Sequence, residues 1–267
     1  MFDFLKIFKR KEKKEKNNYG TERATILDVK DFQVVESYKQ LRTNIMFAMS
    51  AKDTHVVGLS SSFPGEGKSV TSANIAIATA QTGAKVVLID CDLRKPVQHK
   101  IFGLENKKGL SSVLGRMAKI DDVINKDVTE NMDVISSGPM PPNPSELIAS
   151  KNMEEFVKEV AKRYDYVIID TPPINVVTDA LELAKYTGGL VVVTRQGITT
   201  YEDVKRTIHS AKLIEVPILG LVVNGVKESK FSGYGYKRRY GYKYKYKYKY
   251  KYSDYEYKAG FVYSGKI

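Results

Sequence analysis

Residues 55–69 read His55-Val56-Val57-Gly58-Leu59-Ser60-Ser61-Ser62-Phe63-Pro64-Gly65-Glu66-Gly67-Lys68-Ser69. The first six, 55–60, have the apolar, β-branched character of a buried strand. Pro64, Gly65 and Gly67 break it in a tight turn, and residues 68–82 continue with helical character. A strand that passes through a glycine-rich turn into a helix is the setting a phosphate-binding loop requires. Glycines let backbone N–H groups converge on an anion without a Cβ in the way, and the helix turns its positive dipole end toward the same point.

Working outward, short β-branched runs alternate with helical stretches. Strands are expected at 85–90, 132–136, 165–170, 189–195 and 217–223, and helices at 36–50, 151–163, 178–186 and 202–213. Nearly unbroken apolar strands of about six residues suit a parallel sheet buried on both faces. The expected fold is therefore α/β: a doubly wound, mostly parallel sheet with helices on both faces, of the P-loop NTPase type with a deviant Walker motif. Its ligand crevice should lie at the carboxyl ends of the strands.

In that crevice Lys68 is expected to reach the β- and γ-phosphates of ATP, with Ser69 giving its hydroxyl to Mg2+. Pro64, Gly65, Glu66, Gly67, Lys68, Ser69 and Val70 form the expected nucleotide-binding loop, in which Ser62 replaces the usual first glycine. Two further strands end in acid: 86–90 runs Val-Val-Leu-Ile-Asp90 into Cys91-Asp92-Leu93-Arg94-Lys95-Pro96, and 166–170 runs into Asp170-Thr171-Pro172-Pro173. A lone aspartate there is commonly a helix cap or turn residue. Strand-end aspartates converging with the loop on one crevice instead suit Mg2+, which takes one or two carboxylates and keeps several waters.

The 267 residues carry a net charge of +12, but unevenly. Residues 1–19 have a net of +4 and residues 227–267 a net of +9, leaving 20–226 at −1. The basicity therefore speaks of the tails' partners and not of the fold. We divide the chain into a basic N-terminal segment (1–30), a P-loop domain (31–227) and a tail (228–267). The N-terminal segment joins Phe2, Phe4, Leu5, Ile7 and Phe8 to a lysine-rich run, which suits an anionic membrane surface, a membrane partner or equally a solvated basic end. No apolar run reaches the roughly 20 residues of a membrane-spanning helix. One cysteine, Cys91, fits a reducing compartment. A cytoplasmic protein at the inner face of the membrane, held there by a partner or by its basic segment, is expected.

The succession S-F-P-G-E-G-K-S, V-V-L-I-D-C-D-L-R-K-P, G-P-M-P-P-N-P-S-E-L (138–147) and V-I-I-D-T-P-P, followed by a tyrosine cluster, resembles the bacterial tyrosine kinases of capsule and exopolysaccharide synthesis, across roughly residues 30–267. The resemblance implies Lys68, Asp90 and Asp92 as catalytic residues, with Asp90 accepting or orienting the tyrosine proton. It implies Ser69, Asp92 and Asp170 on Mg2+, and Asn224 at the adenine. Arg94 would neutralise developing phosphate charge. It also implies a ring-shaped homo-oligomer through a helix motif represented by Glu36, Lys39 and Arg42, where Lys39 replaces an arginine and lacks its planar fork. A separate membrane activator and a cognate tyrosine phosphatase are implied partners, and nucleic acid is not. The alternative is a partitioning or division-site switch ATPase, but such proteins place a lysine near the loop's start, where Phe63 stands here.

The tail carries twelve of the eighteen tyrosines: Tyr234, Tyr236, Tyr240, Tyr242, Tyr244, Tyr246, Tyr248, Tyr250, Tyr252, Tyr255, Tyr257 and Tyr263. These are the expected phosphoacceptors. From Tyr242 to Tyr252 tyrosine and lysine alternate strictly, so an extended backbone would separate them onto opposite sides. The segment lacks aliphatic residues for a core and is expected to be mobile. At about −1.5 to −2 charges per phosphotyrosine, about five or six modifications would cancel its positive charge.

Overall fold

The computed structural model describes residues 25–29 and 31–226. The basic segment through residue 24 and the tyrosine tail from 227 lie outside the described residues, so the expectations placed on them are untouched by the architecture that follows.

Among the described residues the elements run α1 Phe32–Met49, β1 Val56–Ser61, α2 Lys68–Ala80, β2 Val86–Asp90, α3 Gln98–Ile101, α4 Leu110–Leu114, β3 Ile124–Thr129, β4 Met132–Ile135, α5 Pro144–Ile148, α6 Lys151–Ala161, β5 Tyr166–Asp170, α7 Asp179–Ala184, β6 Leu190–Arg195, α8 Tyr201–Leu213 and β7 Ile218–Asn224. They form a sheet in the order β3-β4-β2-β5-β1-β6-β7, in which every pairing is parallel except β3 with β4. The doubly wound, mostly parallel α/β sheet is as expected.

The central strands are apolar throughout because both of their faces are covered. Val57, Leu59, Val86, Leu88 and Ile168 pack into the layer that holds Ile45, Met49 and α2. Their neighbours Val56, Val87, Ile89, Val167 and Ile169 point into the opposite layer, with Met153, Phe156 and Val160 of α6 and Leu183 of α7. Adjacent residues alternate sides with the two-residue period of a strand. Helix α2 is buried almost along its whole length, and its alanines (Ala73, Ala76, Ala78, Ala80) allow that close approach.

Differences from the expected elements have local causes. Helix α1 begins at Phe32 because the Asp31 carboxylate caps it by accepting from Gln33 N. Strand β3 was not expected: its residues Ile-Asn-Lys-Asp-Val-Thr form an antiparallel edge, half-exposed and without an apolar run. Helices α3, α4 and α5 span only four or five residues, too short to show a helical period. No helix among the described residues is long and apolar enough to cross a membrane.

Candidate active site

The end of β1 leads into the loop and α2. Gly65 and Gly67 both take positive φ, 85° and 97°. A Cβ on Gly67 would stand 2.0 Å from Asn224 Nδ2, so only glycine fits this point. Gly67 is also the N-cap of α2 and offers no side chain to the helix's first N–H groups. Helix α8 is built differently: Thr200 and Asp203 close its start with a reciprocal capping box. The open start of α2 suits an anion.

The loop is braced from outside. Glu66 is buried, and its carboxylate accepts from Phe63 N at 2.9 Å and from the Thr199 hydroxyl. Arg195 Nη1 donates to the Gly65 carbonyl at 2.9 Å, and Asn224 Nδ2 donates to the Glu66 carbonyl at 3.0 Å. Asn224, expected at the adenine, is placed here as a support of the loop. Pro64 and Gly65 are exposed, while Val70 sits half-buried in the first turn of α2.

Asp90 and Asp170 are register partners at the carboxyl ends of β2 and β5, and both are fully buried. Lys68 Nζ lies 3.2 Å from Asp92 Oδ2, 3.4 Å from Asp170 Oδ1 and 3.2 Å from the Ser69 hydroxyl. The structure therefore brings Lys68, Ser69, Asp92 and Asp170 into one cluster. Asp90 borders it and is held differently: Oδ2 accepts from Val97 N and Gln98 N, each at 2.9 Å, and Oδ1 from Asp92 N at 3.2 Å. Burial, followed by the charge of Asp170, pushes the Asp90 carboxyl up to about 7, against the pull of those N–H groups and Lys68. Burial alone would lower Lys68, but the carboxylates, Asp170 foremost, hold it above the ordinary lysine value. Cys91, between the two aspartates, is enclosed, and burial pushes its thiol well up, as for an inert packed residue.

Three carboxylates around one ammonium leave a surplus of negative charge that suits a divalent cation. Among the described residues no three His, Cys, Asp or Glu side chains form a metal cage. The residues present fit Mg2+ with a nucleoside triphosphate: a hydroxyl, two carboxylates, a lysine and an uncapped helix start.

Several neighbours escaped sequence reasoning. Gln98 Nε2 donates to Asp170 Oδ2 at 2.8 Å, and Ser72 Oγ donates to Asp170 Oδ1 at 3.4 Å. Arg94 is turned away from the cluster: Nε donates to Asp179 Oδ2 at 2.8 Å and Nη2 to the Ser145 hydroxyl at 2.7 Å. Asp179 begins the helix expected at 178–186, and Ser145 lies in the short helix α5, at which only the 138–147 motif hinted. Beside Arg94, residues 174–178 line a groove of about 430 Å³. On α1, Glu36 and Lys39 pair with each other at 2.7 Å, while Arg42 reaches the Ala78 carbonyl of α2 at 3.0 Å.

The model of the ParA family, NUBPL iron-transfer P-loop NTPases, matches residues 52–232. Tyrosine-protein kinase YwqD of Bacillus subtilis (strain 168) is 44% identical over 75% of this chain and 85% of its own length. The chimerical protein CapA2B2 superposes with a TM-score of 0.70 at 36% identity, over 78% of this chain and 95% of that one. The kinase domain of Escherichia coli tyrosine kinase ETK does so with a TM-score of 0.71 at 34% identity, over 76% and 80%.

Proposed function

The chain belongs to the bacterial tyrosine-protein kinases built on the ParA-type P-loop fold, and from that premise we propose that it phosphorylates its own C-terminal tyrosines in trans, regulating capsule or exopolysaccharide synthesis. The observation that carries this is Lys68 held between Asp92 and Asp170 at the uncapped start of α2, in a chain with twelve tyrosines beyond residue 233.

In this reading Pro64 to Val70 wrap the phosphates of ATP, Lys68 turns to the β- and γ-phosphates, and Ser69, Asp92 and Asp170 hold the metal. Mg2+ would supply neutralising charge between the phosphates. Transfer of this kind rests on positioning and electrostatics more than on covalent assistance. Asp90, enclosed and already accepting three backbone N–H groups, would take the orienting share of its expected role through its neighbours and not by contact. The groove beside Arg94 gives an incoming tyrosine ring room on the carboxyl side of the sheet.

A tail of net +9 that gains phosphate loses its positive charge, and we propose that this loosens a homo-oligomer. Glu36, Lys39 and Arg42 are the proposed contact, although their bonds within the protomer leave chiefly the half-exposed Glu36–Lys39 pair for a neighbour. A separate membrane protein is the proposed activator. A tyrosine phosphatase would reset the tail, and the site of action is the inner face of the membrane.

The test mixes a full-length Lys68→Met chain with an active chain ending near Ser232, then adds ATP and Mg2+. Phosphotyrosine on the inactive chain's tail is expected. A tail that stays unmodified there, while full-length wild type modifies itself, would overturn transfer in trans.

A further inference from the structure

Gln98 opens α3, and its side chain is fully buried against the cluster. Nε2 donates both to Asp170 Oδ2 at 2.8 Å and to the Ser69 carbonyl at 3.0 Å. Both partners are acceptors, so the amide has one orientation; turned over, it would set oxygen against oxygen. Its Oε1 is buried with no hydrogen-bond partner among the described residues. A buried amide that joins the backbone of one proposed metal ligand to the carboxylate of another is placed to govern both.

We infer that Gln98 is a positioning residue for the metal, fixing the Asp170 carboxylate against the start of α2, and that Asp90 acts through it. Asp90 Oδ2 accepts from the backbone N–H groups of Val97 and Gln98, so this buried aspartate anchors the turn from which the Gln98 side chain reaches across. The path runs from the end of β2 through α3 to the end of β5 and into the loop. It gives the first aspartate of the Asp90–Asp92 pair a task that needs no contact with substrate. Mg2+ tolerates little departure from octahedral geometry, so a carboxylate left to rotate binds it less well. Outer partners of metal ligands characteristically change metal affinity by about 10- to 100-fold.

The inference rests on the proposed metal role of Asp170, and its test separates the two. Binding of a fluorescent ADP analogue to the full-length chain is followed in EDTA and then across a Mg2+ titration. The wild type is compared with Gln98→Met, which keeps the volume and removes the donor, and with Asp170→Asn. Gln98→Met should raise the apparent Kd for Mg2+ about 10-fold and leave metal-free nucleotide affinity within about twofold. Its phosphorylation rate should recover at high Mg2+. Should Gln98→Met fail to fold, Gln98→Ala carries the same comparison. An Mg2+ affinity within about twofold of wild type, alongside a large loss in Asp170→Asn, would overturn the role of Gln98 and spare that of Asp170. Nucleotide affinity in EDTA falling as far as Mg2+ affinity would also overturn it, marking Gln98 as support for the loop alone. An Asp170→Asn chain with unaltered Mg2+ affinity would remove both.

Discussion

Strands β2 and β5 carry a charged cluster at each end, and the two clusters are built on opposite terms. At the amino ends, beside Tyr164, three bases (Lys85, Lys126, Arg163) stand against three acids (Asp121, Asp127, Asp133), and most are exposed. Arg163 meets Asp121 at 2.7 Å and Glu159 at 3.0 Å, and the Tyr164 hydroxyl donates to Asp133 at 2.5 Å. The Lys85 ammonium lies 5.4 Å from the Tyr164 ring centre. At the carboxyl ends, Asp92 and Asp170 share a single lysine in a nearly closed space, with the buried Asp90 beside them. The first end is complete in itself; the second keeps a surplus of buried negative charge, costly for a fold and useful to a site that binds a cation and phosphates.

The contrast is tested most strongly at its charged centre. Asp170→Asn should cut phosphorylation by about 10²- to 10³-fold, the usual cost of one preorganised electrostatic group, here acting through the metal. Its thermal midpoint should hold or rise, because the repulsion that lifts Asp90 is relieved. A mutant that loses activity and stability together would make this end structural, like the other.

Next in size is Gly67→Ala. Positive φ alone costs about 1–2 kcal/mol for a residue with a Cβ, and the new methyl would meet Asn224. Nucleotide affinity measured by calorimetry should fall at least about tenfold. Arg94→Ala comes third. It would strand the buried Asp179, so we expect about 2 kcal/mol of lost stability in urea unfolding, discounted for the partial exposure of Arg94. The smallest effect belongs to the amino end: Arg163→Ala should cost under about 1 kcal/mol and leave phosphorylation unchanged. A large catalytic effect there would erase the contrast.

Legibility in the sequence followed the same division. Six strands were readable within a residue or two because each is an apolar run, five of them enclosed in the sheet and β7 apolar even at its half-exposed edge. Strand β3 was not, since an exposed antiparallel edge tolerates Asn125, Lys126 and Asp127. Lys68, Ser69, Asp92 and Asp170 were readable because loop spacing and strand ends place them together whatever the rest of the chain does. Gln98, Ser72, Thr199 and Asp179 were not, since each reaches the site or its supports by a tertiary contact with no spacing of its own. Asn224 shows the limit from the other side: its position was foreseen, while its bond to the Glu66 carbonyl depends on how β7 meets the loop.

The central claim is that the surplus charge around Lys68 serves phosphoryl transfer to the chain's own tail. The most direct measurement incubates full-length wild type and Lys68→Met with ATP and Mg2+ in the presence of membranes, then maps the tail by mass spectrometry. The account predicts several phosphotyrosines between Tyr234 and Tyr263 in wild type and at least about a 10²-fold loss in Lys68→Met. Equal modification of both chains, or an unmodified wild-type tail while ATP is hydrolysed, would contradict it.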